Sequence, residues 1–93
     1  MGRLFDRIRE AVARDHYYLT VHAKRRCLQR SIEDWQLVAQ LDEAKLIQER
    51  VDDPSDLSVI VRQELLDGTE VEVVWAYDPT SQQALLVTVY IPE

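Results

Sequence analysis

Leu57-Ser58-Val59-Ile60-Val61-Arg62-Gln63-Glu64-Leu65-Leu66-Asp67-Gly68-Thr69-Glu70-Val71-Glu72-Val73-Val74-Trp75-Ala76-Tyr77 is the stretch that decides the fold. Two runs rich in Val, Ile, Trp and Tyr flank an Asp-Gly turn signal, which reads as a β-hairpin. The loop length then fixes which side chains share a face. A two-residue Asp67-Gly68 turn places Arg62 beside Val73 and mixes polar with apolar residues on both faces. A three-residue loop, Leu66-Asp67-Gly68, with Gly68 left-handed, pairs Val59 with Trp75, Val61 with Val73, and Arg62 with Glu72 on the other side. The second register is preferred, because it gathers Leu57, Val59, Val61, Leu65, Val71, Val73, Trp75 and Tyr77 on one core face.

Working outward, Leu46–Val51 reads as a short strand, ended by the turn-rich Asp52-Asp53-Pro54-Ser55-Asp56. Downstream, Ala84–Ile91 alternates so that Leu85, Val87, Val89 and Ile91 join the core while Leu86, Thr88 and Tyr90 point away. With Leu57–Leu65 and Thr69–Tyr77 this predicts a four-stranded, mainly antiparallel sheet. Ahead of it the period is helical: Leu4, Phe5, Ile8, Ala11 and Val12 define a first helix ending near Asp15–Tyr17. His16 fits the end of that helix, where a cation is favoured by the dipole. Thr20 is a suitable N-cap for a second helix over 21–30. A third helix runs from Ser31 to near Asp42, with acids in its first turn and Trp35, Val38, Ala39 and Leu41 facing inward. The expectation is an α+β domain with its helices packed on one face of the sheet.

The chain has 93 residues, of which 46% are hydrophobic and 30% charged, so a single globular domain over 1–93 is expected and a disordered or fibrous class is excluded. No apolar run is long enough to span a bilayer and the N-terminus lacks a signal-peptide core, so a cytoplasmic protein with no membrane partner is expected. Cys27 is the single cysteine and no Cys or His stands at zinc spacing, so a reduced thiol, no metal and no cofactor are expected. The net charge is −6, but it is unevenly spread: residues 1–30 hold eight Lys/Arg against three acids, while the remainder holds three against fourteen. A basic face on an acidic body points to polyanion contact.

That face has a definite line. His22, Arg26 and Arg30 are spaced four apart twice, so they run along one side of the second helix, with Lys24 and Arg25 around the cylinder as a solvated face. Like charges stacked in this way repel, which calls for a nearby carboxylate or a bound anion. Glu33, Asp34 or the acids of the sheet are the candidate internal partners. In that case the row is an internal salt-bridge network and the protein has a structural accessory role. Cys27, set among cations, is better read as a packed helix cysteine than as a nucleophile.

The segment Val21-His22-Ala23-Lys24-Arg25-Arg26-Cys27-Leu28-Gln29-Arg30-Ser31-Ile32 resembles the signature of the domain-of-unknown-function 4258 family. Glu72-Val73-Val74-Trp75-Ala76-Tyr77-Asp78 and Leu86-Val87-Thr88-Val89-Tyr90 are similar to its last two strands, and the likeness runs from about Ile8 to Tyr90. Ser31 departs from it, standing where such sequences usually carry Gly. The family has been likened to the RelE-like ribonuclease toxins, some members lying beside antitoxins with a zinc-finger motif. The resemblance therefore implies a RelE/barnase-like fold, a metal-independent endoribonuclease and an antitoxin partner. Such chemistry needs a base for the 2′-hydroxyl proton, cations for the phosphorane charge and an acid for the leaving oxygen. The imidazole of His22 suits proton transfer, Arg26 and Arg30 suit phosphate, and Thr88 and Tyr90 can add hydroxyl contacts. The alternative is a non-catalytic interaction module that binds RNA or an acidic partner through the His22/Arg26/Arg30 face.

Overall fold

The helical spacing of Leu4, Phe5, Ile8, Ala11 and Val12 produces α1 (Arg3–Ala13), and all five side chains are buried. The computed structural model describes residues 3–92. After α1 come β1 (Tyr17–Leu19), α2 (Val21–Gln29), α3 (Asp34–Ala39) and a 3-10 turn, Leu41–Glu43. The strands β2 (Lys45–Arg50), β3 (Ser58–Glu64), β4 (Glu70–Asp78) and β5 (Gln83–Tyr90) follow. They form one sheet in the order β1-β5-β4-β3-β2.

The β3–β4 hairpin takes the three-residue loop. Val59 pairs with Trp75, Val61 with Val73 and Arg62 with Glu72. Gly68 has φ +88°, the left-handed conformation that a residue without Cβ adopts without strain, and its N–H donates to the Leu65 carbonyl at 2.9 Å. The apolar face this register creates is fully buried at Val59, Val61, Val71, Val73 and Trp75. Those residues form one cluster with the buried residues of α1, α2 and α3. Ile60, Arg62, Glu72, Val74 and Ala76 occupy the opposite, helix-free face. The protein is thus α+β, with helices packed against one sheet.

The sheet has five strands rather than the expected four, and it is mixed. Tyr17–Leu19 pairs in parallel with Ala84–Leu86. Three residues between two helices are too few to show an alternating pattern, so this strand exists only through its partner. The last strand also departs from simple alternation. Between Val74/Thr88 and Trp75/Leu86 the register shifts by one residue, a β-bulge at Val87. Ala84, Leu86 and Val89 consequently enter the core, Leu85 and Val87 stay half-buried, and Ile91 is exposed.

Both long helices stop in the same way. At the end of α1, Asp15 is left-handed at φ +60°, and the His16 and Asp15 N–H groups donate to the Ala11 and Val12 carbonyls at 2.8 and 3.0 Å. At the end of α2, Ser31 is left-handed at φ +55°, and the Ile32 and Ser31 N–H groups donate to the Cys27 and Leu28 carbonyls at 2.9 and 3.3 Å. Each is a Schellman closure, which uses up orphan carbonyls and reverses the chain. Ile32 then packs as the apolar residue beyond the cap and is buried. The next helix therefore starts only at Asp34, in a register that buries Leu37 and Leu41 and leaves Trp35, 53% exposed, and Ala39 on the surface. Of the expected inward positions, Leu41 is buried and Val38 packs half-buried against the core, while Trp35 and Ala39 are the ones corrected to the surface. Among the described residues no helix is long and apolar enough to cross a membrane.

Candidate functional site

Thr20 sets the position of α2. Its hydroxyl oxygen accepts from the Ala23 N–H at 3.1 Å, as an N-cap should, and donates to the Val87 carbonyl at 2.9 Å. Its own N–H donates to the Leu86 carbonyl at 3.1 Å. In a regular strand successive carbonyls point to opposite sides, and the bulge at Val87 turns Leu86 and Val87 toward the same neighbour. One threonine therefore clamps the helix start to the edge of β5. From there α2 runs beside the rest of that edge, burying Ala23 and Cys27.

The line next to that buried one carries His22, Arg26 and Arg30, about 6 Å apart at 1.5 Å rise per residue. Arg26 is half-buried, and its Nε donates to the Val89 carbonyl at 3.3 Å. That contact satisfies a strand-edge carbonyl and fixes the middle of the row to β5. His22 and Arg30 are exposed. Among the described residues the ion pairs are Arg9–Asp6, Arg14–Glu10 and Arg62–Glu72, so none involves the row, and neither Glu33 nor Asp34 pairs with it. Arg30 sits at the C-cap, where a cation is favoured by the helix dipole.

Thr88 and Tyr90 flank Val89 in sequence and lie on the helix-free face, opposite Val74 and Glu72. Arg26 thus reaches the backbone between them, while their side chains look onto the open sheet. The Tyr90 hydroxyl donates to Glu72 Oε1 at 2.8 Å, and Glu72 Oε2 accepts from Arg62 Nη2 at 3.1 Å. The Tyr90 hydrogen bond, with Arg62 second, holds the Glu72 carboxyl below its usual range. The same bond raises the Tyr90 phenol. Tyr90 is committed to Glu72, so among the described residues the proposed hydroxyl pair makes no hydrogen bond to the His22 row. Glu72 and Arg62 were foreseen as a cross-strand pair, but their hold on Tyr90 depends on the bulge, which alternation does not reveal.

Cys27 is buried, and burial followed by the Asp34 carboxylate pushes its thiol above the ordinary value. A thiol held protonated packs and does not attack. Among the described residues no three His, Cys, Asp or Glu side chains come together as a metal-binding group.

The family model described as Domain of unknown function (DUF4258) matches residues 19–91. The matched span holds the whole of α2 and β5 and leaves α1 outside, a shorter lead-in than the resemblance suggested. No curated protein matches, and no solved structure matches.

Proposed function

The chain belongs to the domain of unknown function 4258 family, and from that premise and the geometry of α2 we propose a toxin-like endoribonuclease that grips single-stranded RNA along His22, Arg26 and Arg30. The observation that carries this reading is the row itself. Its middle member is held on the Val89 carbonyl, and its outer members are exposed with no ion-pair partner among the described residues. Stacking like charges at this spacing costs a few tenths of a kcal/mol per pair, and a phosphate laid across them offsets that cost.

In this reading Arg26 and Arg30 present N–H donors to phosphate oxygens, and His22 accepts the 2′-hydroxyl proton as that oxygen attacks phosphorus. The 5′-oxygen leaves and takes its proton from solvent water, and the products are a 2′,3′-cyclic phosphate end and a 5′-hydroxyl end. The chemistry needs no metal, and a RelE/barnase-like relationship belongs to the same proposal. So does a neutralising antitoxin protein, for which Val21 and Leu28, 72% and 82% exposed on α2, supply apolar anchors beside the cations.

One observation favours a second reading. Tyr90 is tied to Glu72 and its phenol is raised, which leaves His22 without a free acid beside it. A module that binds RNA through the row without cutting it fits that arrangement. The deciding experiment incubates the protein with a mixed single-stranded RNA pool and assays for cyclic phosphate ends. Cleavage that disappears in His22→Ala, with circular dichroism and RNA binding retained, supports the enzyme. Salt-dependent binding without any cut ends favours the module. No binding, with Arg26→Ala acting only on the melting temperature, overturns both.

A further inference from the structure

At the other end of β5 from the row, a cleft of about 270 Å³ lies between the last turns of α1 and the β4–β5 hairpin. Its walls are Arg7, Glu10, Ala11, Arg14, His16, Tyr77 and Gln82. Apart from Ala11, every one of these side chains is polar or carries a polar tip. We propose that this cleft binds a phosphomonoester, a phosphate group carried on a small organic body.

The placement of each donor follows from the fold. Arg7 lies on α1 and Arg14 just past its last residue, seven positions on and so two turns along the same side. The Schellman closure at Asp15 turns the chain back so that His16 follows at the mouth. His16 is held there on both sides, its N–H on the Ala11 carbonyl at 2.8 Å and its carbonyl on the Ala84 N–H at 2.9 Å. Tyr77, half-buried at the end of β4, brings its phenol from the sheet. Gln82 comes from the hairpin, in a left-handed conformation at φ +57° that glycine adopts without strain.

Two features work against an anion here, and both are neutralised. The α1 carbonyls of Ala11 and Val12 are already taken by the His16 and Asp15 N–H groups. Glu10 is engaged by Arg14 at 2.8 Å, which leaves Arg7 with no ion-pair partner among the described residues. The planar fork of Arg7 suits a phosphate bidentately, with His16, Tyr77 and Gln82 as further donors. The volume lies just under the usual lower bound for ligand pockets, about 300 Å³, which fits a sugar phosphate rather than a bare ion or a dinucleotide. This site is independent of the row on α2.

The test is an NMR titration of the 15N-labelled protein with ribose 5-phosphate, with ribose as the neutral control. The proposal expects saturable shifts centred on Arg14, His16, Gln82 and Ala84, none with ribose, and at least roughly tenfold weaker binding in Arg7→Gln. Arg7 is exposed, so that variant should keep its fold, which the spectrum itself reports. Two oligoribonucleotides of one sequence, with and without a 5′-phosphate, then identify the source. If only the phosphorylated strand displaces ribose 5-phosphate, the ligand is an RNA end; if neither does, it is a free sugar phosphate. Shifts that fail to saturate, that centre on α2, or that persist in Arg7→Gln with unchanged affinity overturn the proposal.

Discussion

Three of the hydrogen bonds of Thr20, to Ala23, Leu86 and Val87, each serve a different layer of the structure. They cap α2, close the β5 edge at Leu86, and satisfy Val87 beside the bulge. Thr20→Ala removes the cap and the hydroxyl donor together. The expected loss is about 1–3 kcal/mol in urea unfolding, with Thr20→Ser retaining most of it. Ser31 shows the opposite case. A non-glycine residue at φ +55° is strained, so Ser31→Gly should raise stability by about 0.5–1 kcal/mol while leaving the row in place. The Glu72–Tyr90 bond makes stability depend on pH from two sides. Glu72 titrates lower in the folded chain than in the unfolded one, so its contribution is present above the ordinary glutamate value, about 4.3, and fades as pH falls through the depressed folded value. Tyr90 titrates higher when folded, so its contribution is full below about 10 and fades as pH rises beyond it. Tyr90→Phe should flatten the alkaline limb of a stability-against-pH curve and soften the acid one.

At the level of elements, the hairpin from Leu57 to Tyr77 was legible because its two faces differ in chemistry and one loop length sorts them. The four long strands fell within a residue or so of their expected limits for the same reason. What the sequence hid was non-local. β1 needs β5 to exist, and the bulge that swaps Leu86 for Val87 in the core has no local mark. Both decide where α2 lies, so the row's residues could be read in advance but not its attachment to Val89. Gln63 is a further example. It stands on the core face of β3 by alternation, yet it is polar, and it is 3% exposed. Its Nε2 donates to the Leu37 carbonyl at 2.7 Å and its Oε1 accepts from Trp75 Nε1 at 3.4 Å, joining α3 to the sheet across the core. Gln63→Leu strands both partners, and the expected cost is about 1–3 kcal/mol for each, read as a lowered urea midpoint with an unchanged slope.

For the whole molecule, charge decides which surface an anion approaches. The acidic remainder, with fourteen acids against three cations, repels phosphate everywhere except near the basic N-terminal part. That field gives orientation more than affinity and is screened within about 8 Å at physiological salt. Binding through the row is therefore expected to be weak, salt-sensitive and confined to α2. The row is central to the account, and one measurement tests it most directly: fluorescence anisotropy of a single-stranded oligoribonucleotide across a salt series, for the wild type and Arg30→Ala. Two phosphate contacts, from Arg26 and Arg30, give a slope of log K against log salt of about −1.4, and removing Arg30 should make it shallower by about 0.7. No saturable binding at low salt, or the same affinity and slope in Arg30→Ala, would contradict the account.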